Sequence, residues 1–401
     1  MTASVDPTRT AIDGVPTSDI DLHTEENLRN SLEIFARLRD TGPVVWMEHY
    51  GLYALPRFTE VSQVLKDWET FTSGQGVGLN EYFNAIRETS LMTHGGRHDE
   101  IKHIESRPIA PDKLAQLRPR FVDYAENLVK ELAGRTRVDG VADIATKMPL
   151  DVITDLVGLD DAGRENLYTW GVEGFNSIGP LHAERTGLAL QIMSGYVEYA
   201  RGNIPVNIKP GGWADQLFSN GSAAGWSEDL CRGVLNDYVY PSLDTTIHAM
   251  STGLKLFAEN PEQWEKVRAD RSLLKTAVLE IVRLATPIQY FTRLVTKDVE
   301  IGGVTLPAGS WVLVMFGSAD HDEREFPDPE RFDVERNPAQ MVGWGMGKHA
   351  CLGRALARME ITVLFDVLAN HIERFDIGDH AYGVNNIIRG LDHLELTLTW
   401  A

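Results

Sequence analysis

The chain has 401 residues, of which 43% are hydrophobic and 24% charged, so it is long enough to bury a large core. Its formal net charge of -20 disfavours nucleic acid and anionic lipid as partners, because both select for clustered Lys and Arg. Only two cysteines occur, Cys231 and Cys351, which is typical of a reducing compartment. With no apolar run of about 18 residues, we expect a cytoplasmic protein without a signal peptide or a membrane anchor.

The spacing of apolar residues predicts a mainly α protein with a small β region. The polar segment 1–16 predicts a flexible N-terminal arm, and residues 17–401 are expected to form a single domain. Strand patterns occur at 52–56 and between 299 and 316, where Gly302-Gly303 predicts a hairpin turn. Helical spacing occurs over 28–39, 127–132, 149–157, 194–203 and 352–372.

The longest helical pattern runs from Ser227, a good N-cap residue, to Glu259. A single helix of that length would be roughly 50 Å long at 1.5 Å per residue and could cross the whole molecule. Pro241 lies in its middle and has no N–H, so it either kinks one long helix or separates two.

The loop at 343–353 carries the strongest chemical signal. It reads Gly-Trp-Gly-Met-Gly-Lys-His-Ala-Cys-Leu-Gly and runs directly into a predicted helix. Its glycines allow the backbone to approach a flat ligand, and Cys351 falls at a helix N-terminus, where free N–H groups favour thiolate over thiol. Such a thiolate can bind a haem iron. The alternative, an inert buried cysteine, leaves the four glycines and the histidine unexplained.

This loop resembles the haem-binding signature of the cytochrome P450 family, with Trp344 where phenylalanine is usual. The resemblance implies the P450 fold, with a long central helix over the haem. It also implies haem b as the cofactor, Cys351 as the ligand to its iron, and insertion of one oxygen atom of O2 into an organic substrate.

A second motif is structural rather than catalytic. The segment Glu280-Ile281-Val282-Arg283 resembles the family's Glu-x-x-Arg, which pairs with the arginine of a segment similar to Pro329-Glu330-Arg331-Phe332 here. Glu280 and Arg283 lie three residues apart and share a helix face. We therefore expect Glu280, Arg283 and Arg331 to form an ion-pair network beneath the haem loop.

The segment 241–246 resembles the family's oxygen-activating motif Ala-Gly-x-Asp-Thr. The resemblance implies that Asp244 and Thr245 are catalytic and deliver protons through water. The sequence departs from the motif at Pro241 and Ser242. His248, one turn after Asp244, either joins this proton path or is an interior histidine with satisfied hydrogen bonds, which we favour.

Haem propionates need cationic or hydrogen-bonding partners, because buried unpaired carboxylates are costly. By position in the family pattern, these partners are His98, Lys102, Arg293 and His349, and Gly345 belongs to the loop that approaches the haem. Lys102 stands where the family usually has arginine, so charge is kept without bidentate geometry. A separate metal site formed by His94, His98 and His103 is an alternative, but the spacing matches no known ligand motif.

Within the family, the segments at 76–79, 87–90, 175–180, 241–244 and 385–391 are similar to bacterial enzymes that oxidise para-substituted benzoates. In this resemblance Arg87 and Ser90 bind the substrate carboxylate. An acid at Asp237 would disfavour that carboxylate, and Tyr240 is an alternative partner for a phenol or an acid. The apolar wall is assigned to Phe175, Ile178, Leu243, Ile288 and Phe291.

We therefore expect a small aromatic substrate, an acid in preference to a phenol, that undergoes O-demethylation or hydroxylation. No flavin or iron–sulfur module follows the haem segment, so a ferredoxin and its reductase are expected to supply electrons. The expected docking patch comprises Arg107, Lys113, Lys348, Arg354 and Arg358.

Two other functions are compatible with a haem-binding chain. One is a haem-binding or partner-recruiting module without monooxygenase turnover, against which the intact pair of Asp244 and Thr245 argues. The other is a peroxide-driven variant, in which that pair would be replaced. Cys231 is expected to be a small packed hydrophobe.

Overall fold

The computed structural model describes residues 10–86 and 89–401, and helices make up most of the fold. A π-helical turn spans Gly140–Ala145, and short 3-10 turns span Arg107–Ile109, Arg271–Leu273 and Gly347–His349. The α-helices are α1 (Glu25–Arg29), α2 (Ser31–Thr41), α3 (Phe58–Lys66), α4 (Glu81–Asn84), α5 (Gly95–Glu105), α6 (Pro111–Leu132), α7 (Lys147–Val157), α8 (Asp161–Asn176), α9 (Glu184–Asn203), α10 (Trp213–Ala223), α11 (Glu228–Val239), α12 (Asp244–Glu259), α13 (Pro261–Ala269), α14 (Leu274–Ala285), α15 (Phe316–Ala319) and α16 (Arg354–His371).

The strands form three small sheets, as the mainly α prediction with a small β region requires. The strands are β1 (Thr17–Ser18), β2 (Val45–Met47), β3 (Leu52–Leu55), β4 (Phe71–Thr72), β5 (Arg137–Asp139), β6 (Phe291–Val295), β7 (Val299–Ile301), β8 (Val304–Leu306), β9 (Trp311–Val314), β10 (Ile372–Tyr382) and β11 (Leu391–Trp400). Six strands pair in the order β1-β2-β3-β9-β6-β4, three in the order β10-β11-β5, and β7 and β8 form the hairpin that turns at Gly302 and Gly303.

The long helical segment is divided into α11 and α12 at Pro241. The side chain of Ser227 accepts a hydrogen bond from the N–H of Leu230 and so caps α11, as predicted. Because Pro241 has no N–H, the helical ladder cannot continue through it. Side-chain hydroxyls replace part of the lost bonding: Ser242 donates to the carbonyl of Tyr238, and Thr245 donates to the carbonyl of Pro241 at 2.8 Å.

Helix α12 is the centre of the core. Twelve of its side chains or glycines are buried, and it packs against α14, α16 and β10. A Cβ at Gly253 would lie 2.6 Å from the ring of Phe365, so a glycine is needed where α12 crosses α16. A helix buried on nearly all sides can hold polar groups at a fixed place in the interior.

Packing begins before residue 17, earlier than the predicted end of the arm. Val15 is buried, and the N–H of Ile12 donates to the hydroxyl of Tyr53 at 3.2 Å. Residues 1–9 of the predicted arm lie outside the described residues. Across residues 10–86 and 89–401, no helix is both long and apolar enough to span a membrane.

Candidate active site

A cavity of about 280 Å³ lies between α5, α8, α11, α12 and the loop at 343–353. Its wall is mostly apolar, with a few polar groups at separate positions. Cavities of this kind are typical sites for small molecules. The apolar wall includes Leu65, Phe83, Phe175, Ile178, Val282, Ile288, Phe291, Phe316, Leu356 and Ile361.

Cys351 opens into this cavity. It is enclosed by protein yet keeps accessible surface, and that surface faces the cavity. Gly345 and Gly347 adopt left-handed backbone conformations, with φ of 64° at each, and Gly347 packs so closely that a Cβ would lie 2.8 Å from the carbonyl oxygen of Leu65. The N–H of Cys351 donates to the carbonyl of Trp344 at 2.8 Å and closes the loop.

Burial raises the pKa of the Cys351 thiol above its ordinary value. The N–H groups of Gly353 and Arg354 and the charges of Lys102 and Arg354 act against that rise without cancelling it. The other cysteine, Cys231, is buried against Gly221 and does not line the cavity. Its position fits the predicted packed hydrophobe.

The four predicted propionate partners come together at the cavity. The rings of His98 and His349 lie 4.6 Å apart, and Arg293 is buried with a hydrogen bond to the carbonyl of Thr292 at 2.7 Å. Lys102 donates to the carbonyls of residues 348 and 350 at 2.9 and 3.0 Å. Gly345 lines the same cavity.

Lys102 and Arg293 carry the positive charge of this cluster. Burial and the nearby charges of Arg293, His98 and Lys102 lower the pKa of His349 to about 3, and burial lowers the pKa of Arg293 to about 10. Asp99 is the carboxylate that contacts His98, at 3.2 Å. Such a set of donors fits anionic groups that would enter the cavity.

Asp244 and Thr245 lie on different sides of α12. Thr245 lines the cavity, and its hydroxyl is held by the carbonyl of Pro241. Asp244 is buried away from the cavity wall, with an oxygen 3.0 Å from Nε2 of His248. A Cβ at Gly390 would fall 1.9 Å from Nδ1 of His248, so this glycine leaves room for the imidazole. His248 thus lies beside the acid, and its role in a proton path stays a prediction.

The predicted substrate residues are only partly in the wall. Ser90, Phe175, Ile178, Tyr240, Ile288 and Phe291 all line the cavity. Leu243 does not line it, so that assignment is wrong: it is fully buried at the start of α12, because the turn at Pro241 points it into the core. Arg87 lies outside the described residues.

From the sequence, Asp237 was expected only to disfavour a substrate carboxylate, and Glu105 was not assigned to the site. Asp237 lines the cavity, and the N–H of Ser90 donates to its Oδ2 at 2.7 Å. The carboxyl group of Glu105 lies within hydrogen-bonding reach of Asp237, although the two residues are far apart in the chain. No periodicity could have brought them together, and only the opposition of α5 and α11 does so.

The ion-pair network forms with a different third member. Arg283 contacts the carboxylate of Glu280 at 2.7 and 2.8 Å, and both side chains are fully buried. The side chain of Arg331 is 64% exposed and pairs with Asp333, so its predicted role is wrong. Arg336, 19% exposed, contacts Glu280 at 3.0 Å instead. The loop after Pro329 directs the first arginine to solvent and the second inward.

This network supports the start of the cysteine loop. Arg283 donates to the carbonyl of Asp320 at 2.8 Å. The carboxylate of Asp320 in turn accepts the N–H of Val342 at 2.7 Å and the hydroxyl of Thr286 at 2.8 Å. Burial raises the pKa of Asp320 to about 7, although these hydrogen bonds act against the rise. Arg283 therefore helps to position the loop at 343–353 through its hydrogen bond to Asp320.

The three histidines of the alternative metal site point to different partners. His94 lies 3.5 Å from the hydroxyl of Thr72, His103 contacts Arg107, and His98 faces the cavity. Among the described residues, no group of three or more His, Cys, Asp and Glu is arranged to hold a metal ion.

Comparison with known proteins gives the family. A model of the cytochrome P450 family matches residues 234–381. A curated relative, cytochrome P450 CYP199A2 from Rhodopseudomonas palustris, is 32% identical, and the match covers 96% of this chain and 95% of the relative. The chain belongs to the cytochrome P450 family. This P450 is also 27% identical to linalool 8-monooxygenase from Pseudomonas putida, over 91% of this chain and 95% of the relative.

Solved structures agree with the fold. The P450 resembles cytochrome P450 CYP109Q5 from Chondromyces apiculatus with a TM-score of 0.77 and 27% identity, over 96% of this chain and 99% of that chain. The predicted P450 fold and the predicted enzyme class, a cytochrome P450 monooxygenase, are therefore confirmed.

Members of this family bind haem b through a cysteine thiolate, and the residues present fit that group. The cavity offers one cysteine, glycines that allow close approach of the loop, and four nitrogen donors, of which Lys102 and Arg293 carry positive charge. Two propionates would accept hydrogen bonds from these donors. The confirmed cofactor prediction thus agrees with the chemistry of the donor set.

Proposed function

We propose that this P450 oxidises a small aromatic acid or phenol, by O-demethylation or hydroxylation, with Cys351 as the ligand to the haem iron. When bound, haem b supplies the activation of O2. The observation that supports an aromatic substrate is the apolar wall formed by Phe175, Ile178, Ile288 and Phe291, interrupted at a few positions by polar groups. The propionates would be held by His98, Lys102, Arg293 and His349.

In this proposal the chain itself supplies protons. Thr245 presents its hydroxyl at the cavity, fixed by the carbonyl of Pro241. Asp244, on the far side of the same turn, relays protons toward that hydroxyl, and its carboxyl group lies 3.0 Å from Nε2 of His248. Water would connect the acid with the hydroxyl, because the two groups face different sides of α12.

Spectral titration of the ferric holoprotein tests the substrate class. We expect 4-methoxybenzoate, 4-methoxyphenol or both to produce a high-spin shift, and the reconstituted system to release formaldehyde from the bound compound. Absence of a shift with every aromatic compound would contradict the proposed class. The carbon monoxide difference spectrum of the reduced protein checks the ligand, because a spectrum typical of a thiol would contradict a thiolate at Cys351.

We further propose that a ferredoxin and its reductase deliver the electrons at a basic patch. Arg107, Lys113, Arg354 and Arg358 are exposed, whereas Lys348 is half-buried and bound to Asp99 at 3.0 Å. Charge at such patches mainly affects association rates. Arg354→Glu should slow ferredoxin-dependent reduction about tenfold at low salt, whereas Arg201→Glu, an exposed control on α9, should not. Equal rates for both variants would contradict this docking site.

Dependence of turnover on redox partners separates this proposal from its two alternatives. A module without monooxygenase turnover would give no product with any electron source. A peroxide-driven variant would form product from peroxide at a rate that added ferredoxin does not change.

A further inference from the structure

A carboxyl pair lies in the wall of the substrate cavity. Asp237, on α11, is enclosed by protein but keeps surface that faces the cavity. Glu105, the last residue of α5, is fully buried, and no donor among the described residues reaches either of its carboxyl oxygens. The two carboxyl groups lie within hydrogen-bonding reach, so they cannot both be ionised without strong repulsion.

A shared proton resolves this repulsion. Burial and the proximity of Asp237 raise the pKa of Glu105 well above its ordinary value. Burial also raises the pKa of Asp237, but the N–H of Ser90 and the Glu105 side chain act against that rise, so Glu105 carries the proton and donates it to Asp237. Asp237 also accepts the N–H of Ser90 at 2.7 Å, and the Ser90 side chain contacts the same carboxyl group. Asp237 is therefore fixed in position by Ser90 and Glu105, and it can accept a further hydrogen bond from the cavity.

This arrangement uses the hydrogen-bond donors of Ser90, which the sequence analysis assigned to the substrate. Ser90 was expected to bind a substrate carboxylate, but its donors already serve a carboxyl group of the chain. A substrate carboxylate at this place would meet Asp237 and be repelled. The side-chain oxygen of Asn236 is buried in the same wall, and no donor in residues 10–86 and 89–401 reaches it, so it adds a second acceptor.

The charges around Asp237 determine which substrate group can donate a hydrogen bond to it. Lys102 lies close enough to Asp237 and Glu105 to interact with both electrostatically. Its positive charge opposes entry of an ammonium group, whereas a neutral hydroxyl can donate to Asp237 without adding charge. A phenolic or alcoholic hydroxyl is the group that fits.

We infer that Asp237, held by Ser90 and Glu105, determines specificity by accepting a hydrogen bond from a neutral hydroxyl of the aromatic substrate and by excluding aromatic carboxylates. The inference rests on the proposed aromatic substrate and reverses its expected preference for an acid. Of the two substrate classes above, it selects the phenol.

The test compares 4-methoxyphenol, 4-methoxybenzoate and 4-methoxytoluene by spin-state titration of the ferric holoprotein. Wild type should bind the phenol at least about tenfold more tightly than the benzoate. Asp237→Ser removes the charge and introduces a small hydroxyl, so this ratio should fall by roughly 10- to 100-fold. Asp229→Asn removes one negative charge from an exposed position of the same helix and should leave the ratio unchanged.

A second variant, Glu105→Gln, tests the inference independently in case Asp237→Ser does not fold. Glu105→Gln keeps a donor toward Asp237, so it should retain the preference for the phenol, and the carbon monoxide spectrum of each variant reports an intact site. Tighter binding of the benzoate in wild type, or a ratio that Asp237→Ser does not change, overturns the inference. If 4-methoxytoluene also fails to shift the spin state, the proposed aromatic substrate fails as well, whereas a shift with it leaves that proposal standing.

Discussion

Two arginines of one loop should differ sharply in their effect on stability. Arg336→Ala removes a contact of 3.0 Å with the fully buried carboxylate of Glu280 and hydrogen bonds of 2.9 and 3.1 Å to the carbonyls of Pro327 and Asp328. Arg331→Ala removes one ion pair at the surface. The pair of variants therefore compares a buried and an exposed position in the same stretch of chain.

The magnitudes follow from burial. A hydrogen bond to a charged group contributes about 1.5–3 kcal/mol, and loss of a partner leaves part of a buried charge uncompensated. Because Glu280 keeps Arg283, we expect Arg336→Ala to lower the free energy of unfolding by about 3 kcal/mol rather than by the full cost of an unpaired carboxylate. Arg331→Ala should cost less than about 1 kcal/mol.

Urea unfolding of the holoprotein, followed by the haem absorbance and by circular dichroism, measures both values. In a Glu280→Gln background the cost of Arg336→Ala should fall to about 1 kcal/mol, since the charge it neutralises is gone. Equal costs for the two arginine variants, or a larger cost for Arg331→Ala, would refute the assignment of Arg336 to the network.

Three other changes probe the site. Asp244→Asn should slow product formation roughly 100-fold while leaving the substrate-induced spin shift intact, as measured by turnover and titration. Lys102→Met should speed haem transfer to apomyoglobin by about tenfold, whereas the exposed control Lys113→Met should not. The pKa of Asp320 in the folded state, about 7, lies above its unfolded value, so the stability it contributes is fully present below about pH 4 and is lost as the pH rises through 7. Relative to Asp320→Asn, the unfolding free energy of wild type should therefore fall between about pH 4 and pH 7, and a flat difference would contradict the raised pKa.

The sequence was informative where a chemical need and a local spacing coincide. Cys351 is recognisable because a thiolate, its glycines and its helix are contiguous, and the hairpin at Gly302 because its turn chemistry is local. Arg331 and Arg336 could not be distinguished, since an irregular loop has no period that indicates which side chain turns inward. Glu105 was missed because its role comes only from a carboxylate on another helix.

The interruption at Pro241 has a consequence for how this enzyme could be altered. Asn236 and Asp237 lie on α11, whereas Asp244 and Thr245 lie on α12, and no helical hydrogen bond of Pro241 joins the two. The residues proposed to select the substrate and those proposed to deliver protons thus lie on separate helices, which side-chain hydrogen bonds of Ser242 and Thr245 join across the turn. The turn is therefore the natural boundary at which a recognition helix could be exchanged.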